Sequence, residues 1–276
     1  MDILLYTLLG WLMGVFVNRA SDNLPPPERS SLLTAPRCSH CGAAFDPLEQ
    51  SGLVNLLLNR GRCSHCHSPR SWRAPIVEAG MAFLFGLLCY RLGLGLMLFT
   101  YSLLTVLLVL ITIIDLEHRL ILNVVILPAT LLTIILVPIT RIVTAIPPPI
   151  APEKSFYNSF LGLGIGYAIV AGIYFMGVLF GKYMARRRGK PVDEVAFGMG
   201  DVKLAGMVGA VAGVIGIFTI LVYAILLGGV VSLIVIVYQL VVHRRYSLFM
   251  AIPYGPFFTI TTWVFMVLGP GLLGGF

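Results

Sequence analysis

The sequence predicts an all-α polytopic membrane protein with about eight transmembrane helices and a small cytoplasmic zinc-binding domain between helices 1 and 2. Of its 276 residues, 58% are hydrophobic and only 11% are charged, whereas soluble domains average about 25% charged residues. Apolar runs long enough to cross a bilayer recur along the chain, and four cysteines cluster in the one long polar segment. This composition rules out disorder and argues against an ordinary water-soluble globule.

Eight apolar spans are predicted. They cover residues 3–18, 76–90, 95–114, 120–139, 158–180, 201–216, 218–242 and 251–270. The sixth and seventh form one nearly unbroken apolar run, in which Gly213 and Gly216 are the natural place for a turn. The alternative is a single tilted helix over 201–242, which gives seven spans. Because Asp2 replaces a basic region before the first span and no small-residue cleavage site follows it, we read this span as retained.

The basic residues predict the orientation in the membrane. With eight spans and the N-terminus outside, 16 of the 19 Lys and Arg residues lie in cytoplasmic segments, as the positive-inside rule requires. The seven-span alternative would put Arg244 and Arg245 outside. We therefore expect both termini outside, with helix 1 at 1–18, a cytoplasmic domain at 19–75 and a seven-helix membrane domain at 76–276. The net charge of +7 is attributed to this topology, so no nucleic-acid partner is expected.

Two C-x-x-C pairs predict a metal site in the cytoplasmic segment. Cys38 and Cys41 are followed, after 21 intervening residues, by Cys63 and Cys66. Two such pairs can place four thiolates around one tetrahedral zinc ion. The alternatives are chance and disulfides, which a reducing cytoplasm disfavours. We expect structural zinc, because four thiolates leave no open position for catalysis. The fifth cysteine, Cys89, lies in a predicted span and is interpreted as a core residue. The nearby histidines are interpreted as solvated loop residues: His40, His65 and His67.

Two aspartates at the ends of predicted spans are candidate catalytic residues. Asp115 ends the third span and Asp201 begins the sixth, so both are expected at the cytoplasmic edge of the membrane. Ionisable residues in spans are rare and mark functional sites. Two carboxylates that meet at one water molecule form an aspartyl protease dyad, with one base and one acid. The alternative is that both are interfacial caps, which suits Asp201 at a helix start but not Asp115 at a helix end.

Six elements in order along the chain resemble the type IV prepilin peptidases, the bacterial members of the GxGD intramembrane aspartyl proteases. The most specific is Gly198–Lys203 (GMGDVK), which is similar to the family motif G-x-G-D-x-K. The double C-x-x-C segment matches the cytoplasmic domain of the family. The remaining elements are Gly14–Asn18 (GVFVN), Arg73–Glu78 (RAPIVE), Ile114–Ile121 (IDLEHRLI) and Ile252–Phe257 (IPYGPF).

The resemblance implies an endopeptidase of the bacterial inner membrane that removes the basic leader peptide from prepilins and pseudopilins at the cytoplasmic face. By the matching motifs, Asp115 and Asp201 carry the catalytic roles of the family. The resemblance also implies N-methylation of the new N-terminus with S-adenosylmethionine. The expected partners are prepilin substrates and the phospholipid membrane.

Four further residues are expected to support the active site: Gly198, Gly200, Lys203 and Glu78. The two glycines suit a backbone that bends at the membrane edge and lets a substrate strand come close. Lys203 either biases the surroundings of Asp201 or extends to the lipid headgroups. For Glu78 we favour an ion pair with Arg73 over a role with the substrate amine or in methylation, because intramembrane acids rarely stay unpaired.

Two other functions stay open at this point. One is a proton-coupled transporter that uses Asp115 and Asp201, although such a relay is expected near the bilayer midplane and not at its edge. The other is a GxGD protease that cuts other membrane proteins, for which the zinc segment has no evident use.

Overall fold

Helices make up nearly all the regular structure in a computed structural model, which describes residues 1–25, 36–38, 40–46, 48–144, 152–188, 198–243 and 253–269. The helices are α1 (Asp2–Asn23), α2 (Gly52–Asn59), α3 (Arg73–Leu92), α4 (Leu96–His118), α5 (Asn123–Thr144), α6 (Pro152–Arg188), α7 (Met199–Tyr238) and α8 (Gly255–Leu268), with a π-helical turn at Gln239–His243. Within these ranges no strand occurs, and six helices are long and apolar enough to cross a membrane. The predicted all-α membrane fold is confirmed.

The predicted sixth and seventh spans lie in one element, α7, which runs for 40 residues. Gly213 interrupts it with a non-helical backbone (φ 74°, ψ −172°), a conformation that glycine adopts readily and other residues do not. The predicted interruption at Gly213 is therefore confirmed, while Gly216 remains helical. In the described chain α7 is one of the six membrane-length helices and α8 is a shorter apolar one, so eight separate spans stay a prediction.

The first compact unit is Met1–Ile114, and in it α1 packs closely on α3. A Cβ atom at Gly10 would collide with the Met81 carbonyl and the Phe85 side chain, and one at Gly14 would lie 2.7 Å from the Cα of Glu78. Small residues allow helix backbones to approach in this way. The polar segment that connects the two helices contains the four cysteines and the short helix α2.

The second compact unit is Asp115–Phe276, and its centre is the first part of α7. We call residues 199–212 the buried half-helix, because only its first turn is partly exposed and every residue from 204 to the break at 213 is buried. A helix turns once in 3.6 residues, so ten consecutive buried residues mean that protein surrounds it on all sides. A Cβ at Gly162 or Gly166 of α6 would collide with backbone atoms of this half-helix. Beyond Gly213, exposed side chains such as Ile215 and Phe218 give α7 a face suited to lipid.

Several features used for the predicted topology lie outside the described residues. They include the outer loop with Pro147–Pro149, the basic pair Arg244 and Arg245, and most of the loop that precedes Gly198. The orientation of the chain in the membrane thus stays a prediction.

Candidate active site and metal centre

Asp115 lies in the last turn of α4, and its side chain is only 5% exposed. The helix ends at His118. The Oδ2 atom of Asp115 accepts a hydrogen bond of 3.0 Å from the backbone N–H of Gly255 at the start of α8. A Cβ atom on Gly255 would collide with the Asp115 carboxylate. Glycine is therefore required at 255 so that the start of α8 can approach the acid closely.

Asp201 is the third residue of α7, and the expectation that it occupies the N-cap position is wrong. The N-cap is Gly198, whose backbone N–H donates to Asp201 Oδ2 at 2.8 Å. The Asp201 side chain thus accepts a hydrogen bond from a backbone N–H at the helix start that has no partner in the helical pattern. One of its oxygens is fixed by this bond, as one oxygen of Asp115 is fixed by Gly255.

The second unit contains both carboxylates, and it brings the start of α7, which carries Asp201, close to the end of α4, which carries Asp115. Gly200 permits this approach: a Cβ at this position would lie only 2.8 Å from the Cβ of Ile121, just beyond the end of α4. Gly198 differs, since its φ is −88° and an added Cβ would lie 3.7 Å from Asp201 Oδ2. Packing therefore accounts for the second glycine of the GMGDVK motif and not for the first.

Lys203 has a hydrogen-bond partner that neither of its two predicted roles involves. Its Nζ donates a hydrogen bond of 2.6 Å to Oδ1 of Asn123, the first residue of α5. The lysine thereby connects the start of α7 to the start of α5.

Glu78 is fully buried in the first unit, and the expected ion pair with Arg73 is wrong. Arg73 binds Asp22 instead, at 2.6 Å. The Glu78 carboxylate accepts five hydrogen bonds: from Ser51 Oγ (2.6 Å), Gly52 N (2.7 Å), Leu53 N (3.0 Å), Trp11 Nε1 (3.1 Å) and Asn18 Nδ2 (3.4 Å). Two of these donors are backbone groups at the start of α2, where the free N–H groups and the helix dipole stabilise an anion in place of a cation.

We call Glu78 and its five donors the Glu78 junction. It joins α1, the start of α2 and α3 within the first unit. Asn18 of the GVFVN element and Glu78 of the RAPIVE element meet here, so both elements have a structural use that spacing alone did not reveal. The signal in the sequence is an acid inside a predicted membrane span, which needs a partner.

The four predicted metal ligands come together. The sulfur atoms of Cys38, Cys41, Cys63 and Cys66 all lie within 4.8 Å of one another. The Cys38–Cys66 and Cys41–Cys63 sulfurs are 3.7 and 4.0 Å apart. A tetrahedral zinc ion with Zn–S bonds of about 2.3 Å requires sulfurs about 3.8 Å apart. The thiolate set and its spacing therefore fit zinc.

The two C-x-x-C pairs form a structural repeat. In each, the first cysteine N–H donates to the carbonyl five residues later and its own carbonyl accepts from the residue four later: Cys38 with Ala43 and Gly42, Cys63 with Ser68 and His67. Gly42 and His67 both have positive φ, 71° and 55°. Backbone hydrogen bonds from Cys41 and then His40 lower the pKa of the Cys38 thiol to about 5, whereas, against a backbone hydrogen bond from Ala43 that lowers it, burial and the neighbouring thiols raise the pKa of the Cys41 thiol to about 11.

The described residues thus define a multi-pass membrane protein with an aspartate pair at helix ends and a tetracysteine metal centre. Residues 8–92 match the bacterial Peptidase A24 N-terminal domain, and residues 102–233 match the type IV leader peptidase family. The chain belongs to the type IV leader peptidase family.

Curated relatives support this assignment along nearly the whole chain. A prepilin leader peptidase/N-methyltransferase of Pseudomonas putida is 29% identical over 97% of this chain and 91% of its own length. The protein of the same name from Pseudomonas aeruginosa is 28% identical over 97% and 90%, and that from Bacillus subtilis is 25% identical over 80% and 78%. No solved structure gives a significant match.

Proposed function

We propose that this protein is an aspartic endopeptidase that removes the leader peptide from prepilins and pseudopilins at the cytoplasmic face of the bacterial inner membrane. The observation that carries the proposal is the pair Asp115 and Asp201, two carboxylates at helix ends that pack closely through Gly200 and Ile121, each with one oxygen held by a backbone N–H. Membership of the leader peptidase family and the names of the relatives support the prepilin as substrate.

The proposed chemistry needs two carboxylates with different tasks. Two acids in one site hold a single proton between them, because like charges at short range do not both ionise. The ionised carboxylate takes a proton from water, which attacks the scissile carbonyl, and the protonated one gives a proton to the leaving amine. The backbone N–H groups of Gly255 and Gly198 each hold one carboxylate oxygen, which leaves the other oxygen of each acid for water and substrate.

The remaining residues have supporting roles in this proposal. Gly200 allows the start of α7 to approach the end of α4, Gly198 supplies the N–H that orients Asp201, and Lys203 fixes α7 to α5. The four cysteines hold structural zinc, which would keep the tetracysteine part of the predicted cytoplasmic domain folded. Glu78 is a structural acid of that segment's attachment to α1 and α3, since its carboxylate is enclosed by five donors.

Both termini are proposed to lie outside the cytoplasmic membrane, which places the tetracysteine segment and both aspartates inside. The bias of 16 basic residues to 3 supports this orientation. Thiol labelling of single introduced cysteines from either side of the membrane tests it.

Methylation of the newly exposed N-terminus is a second proposed activity, favoured by the N-methyltransferase in the names of the relatives. S-adenosylmethionine would supply the methyl group. The described part of the chain contains no strand and hence no strand-linked Gly-rich nucleotide loop, so no residue is assigned to this cofactor. Release of labelled S-adenosylhomocysteine after prepilin cleavage tests this activity.

The decisive experiment is prepilin cleavage by the purified protein in detergent. Asp115→Asn and Asp201→Asn are each expected to abolish leader removal, because an amide can neither take nor give the required proton. The double variant is expected to be no worse than either single one, since the two acids act as a unit. Asp115→Glu is also expected to fail, because one added methylene displaces the carboxylate by about 1 Å.

The matched control is Glu117→Gln, which removes an exposed carboxylate two residues after Asp115 and is expected to retain activity. Zinc content and expression must stay normal in every variant. Near wild-type cleavage by either Asn variant would refute the dyad.

A further inference from the structure

The break in α7 disturbs two backbone groups, and side chains from two other helices bind both. In a regular helix the Val211 carbonyl would accept from Ile215, and the Val214 N–H would donate to Ala210. The non-helical Gly213 lies between these two groups, where the regular helical pattern is interrupted. Arg141 of α5 donates from Nη2 to the Val211 carbonyl at 2.6 Å.

The second group is bound from α6. The Oδ1 atom of Asn158 accepts a hydrogen bond of 3.0 Å from the Val214 N–H. The Asn158 amide also fills the space where a Cβ on Gly213 would lie, so the break and the asparagine fit each other. Within hydrocarbon each backbone polar group needs an internal partner, because no water is available to replace the lost helical bond.

Arg141 is noteworthy because charged side chains in membrane helices are rare and usually functional. It was counted as an outer-loop residue for the topology, yet it lies within α5 and is only partly exposed. Its guanidinium offers five donors in a fixed plane, which suits a carbonyl whose helical partner has been removed.

We propose that Arg141 and Asn158 are positioning residues that clamp the break of α7 and thereby fix the direction of the buried half-helix that carries Asp201. The half-helix is surrounded by protein, and Gly162 and Gly166 leave no free space beside it. Because the half-helix is continuous from Met199 to Ala212, a change of its direction at the break would be carried to Asp201 near its other end. This inference rests on the proposed catalytic role of Asp201.

The distance from the break to Asp201 determines how far a small tilt of the half-helix displaces the carboxylate. Asp201 precedes Val211 by ten residues, which is about 15 Å along a helix. A tilt of about 4° at the break would shift Asp201 by about 1 Å over that length. A displacement of about 1 Å at reacting groups lowers the rate about 100-fold. Loss of the clamp is thus expected to lower kcat and leave KM nearly unchanged, because the break lies about 15 Å along the helix from Asp201 and no substrate contact is proposed there.

The test compares Asn158→Leu and Arg141→Leu with Arg141→Lys and with a neighbouring control. Asn158→Leu removes the acceptor at similar volume, and Arg141→Lys keeps a cationic donor with fewer hydrogen bonds. The control is Ser159→Ala, since the Ser159 hydroxyl is buried and has no hydrogen-bond partner within the described chain. Hydrogen exchange of residues 199–213 reports the half-helix directly, and prepilin cleavage gives kcat and KM.

The proposal expects amide exchange at 199–213 to be about fivefold faster in both Leu variants, with exchange at 220–238 and the zinc content unchanged. The kcat is expected to fall about 100-fold in the Leu variants, less in Arg141→Lys, and not at all in Ser159→Ala. Unchanged exchange at 199–213, or an equal rise along all of α7, would overturn it. If the wild-type protein cleaves no prepilin, the proposed function fails, and the exchange result alone decides the clamp.

Discussion

Three glycines near the aspartates give a graded test of the site, because an alanine methyl would meet a different obstacle at each. At Gly255 the new Cβ would collide with the Asp115 carboxylate itself. At Gly200 it would lie 2.8 Å from the Cβ of Ile121, and at Gly198 it would lie 3.7 Å from Asp201 Oδ2. Ordinary van der Waals contacts between such atoms are about 3.5–4.0 Å. Only the alanine at 198 therefore fits without movement.

The expected rates follow from these distances. Gly255→Ala must displace the Asp115 carboxylate by about 1 Å and break its bond to the Gly255 N–H, so kcat is expected to fall at least about 100-fold. Gly200→Ala must separate the start of α7 from Ile121 by about 0.7 Å to reach normal contact, and we expect a loss of about tenfold or more. Gly198→Ala is expected to stay within about threefold of wild type, because its backbone is already one that alanine adopts.

Initial rates of leader removal from a prepilin, measured on detergent-purified variants with equal zinc content, give this series. Thermal unfolding of each variant separates a displaced carboxylate from a destabilised fold. The reasoning would be refuted if Gly198→Ala were the most damaging of the three, or if Gly255→Ala cleaved at the wild-type rate.

Two further predictions concern the tetracysteine segment. The protein is expected to bind one tetrahedral Zn(II), and chelation should remove most of the order of residues 36–70, as elemental analysis and circular dichroism would report; an active preparation without metal would contradict this. The Cys38→Ser variant should still cleave prepilin slowly if zinc is structural. Glu78→Gln places an NH2 group against hydrogen-bond donors and is expected to destabilise the Glu78 junction by roughly 3 kcal/mol. Added protease should then cut the tetracysteine segment faster, while zinc is retained. In the matched variant Glu49→Gln, whose partners Asn59 and Ser64 lie in the segment itself, zinc release should accelerate instead; identical behaviour of the two variants would contradict the junction.

The sequence was sufficient wherever a pattern repeats over many residues or a ligand type is rare. Hydropathy predicted the helical membrane fold, and the C-x-x-C spacing predicted a cluster whose four sulfurs do meet. The length of the apolar run indicates an interruption at Gly213 and Gly216, and the structure has it at Gly213. These inferences depend on general physical limits, such as bilayer thickness and thiolate coordination, and not on the details of packing.

The errors concern single side chains that have several partners within reach. Glu78 was assigned to Arg73, five residues away along the chain, because sequence cannot show that α2 starts beside it and offers two N–H groups. The N-cap assignment of Asp201 is wrong because the long apolar run begins only after it, whereas the N-cap lies three positions earlier, at Gly198. Arg141 was counted as a topological charge, since nothing in its neighbours reveals the carbonyl of Val211.

The enclosure of the buried half-helix has a consequence for the lipid environment. Fourteen residues extend about 21 Å, which is shorter than the hydrocarbon thickness of about 30 Å. A lipid-exposed segment of this length would suffer hydrophobic mismatch and would tilt or shift as the bilayer thickened. Neighbouring helices, and not acyl chains, surround most of the half-helix. Protein packing therefore sets the depth of Asp201, and we expect its position to be insensitive to the thickness of the host membrane.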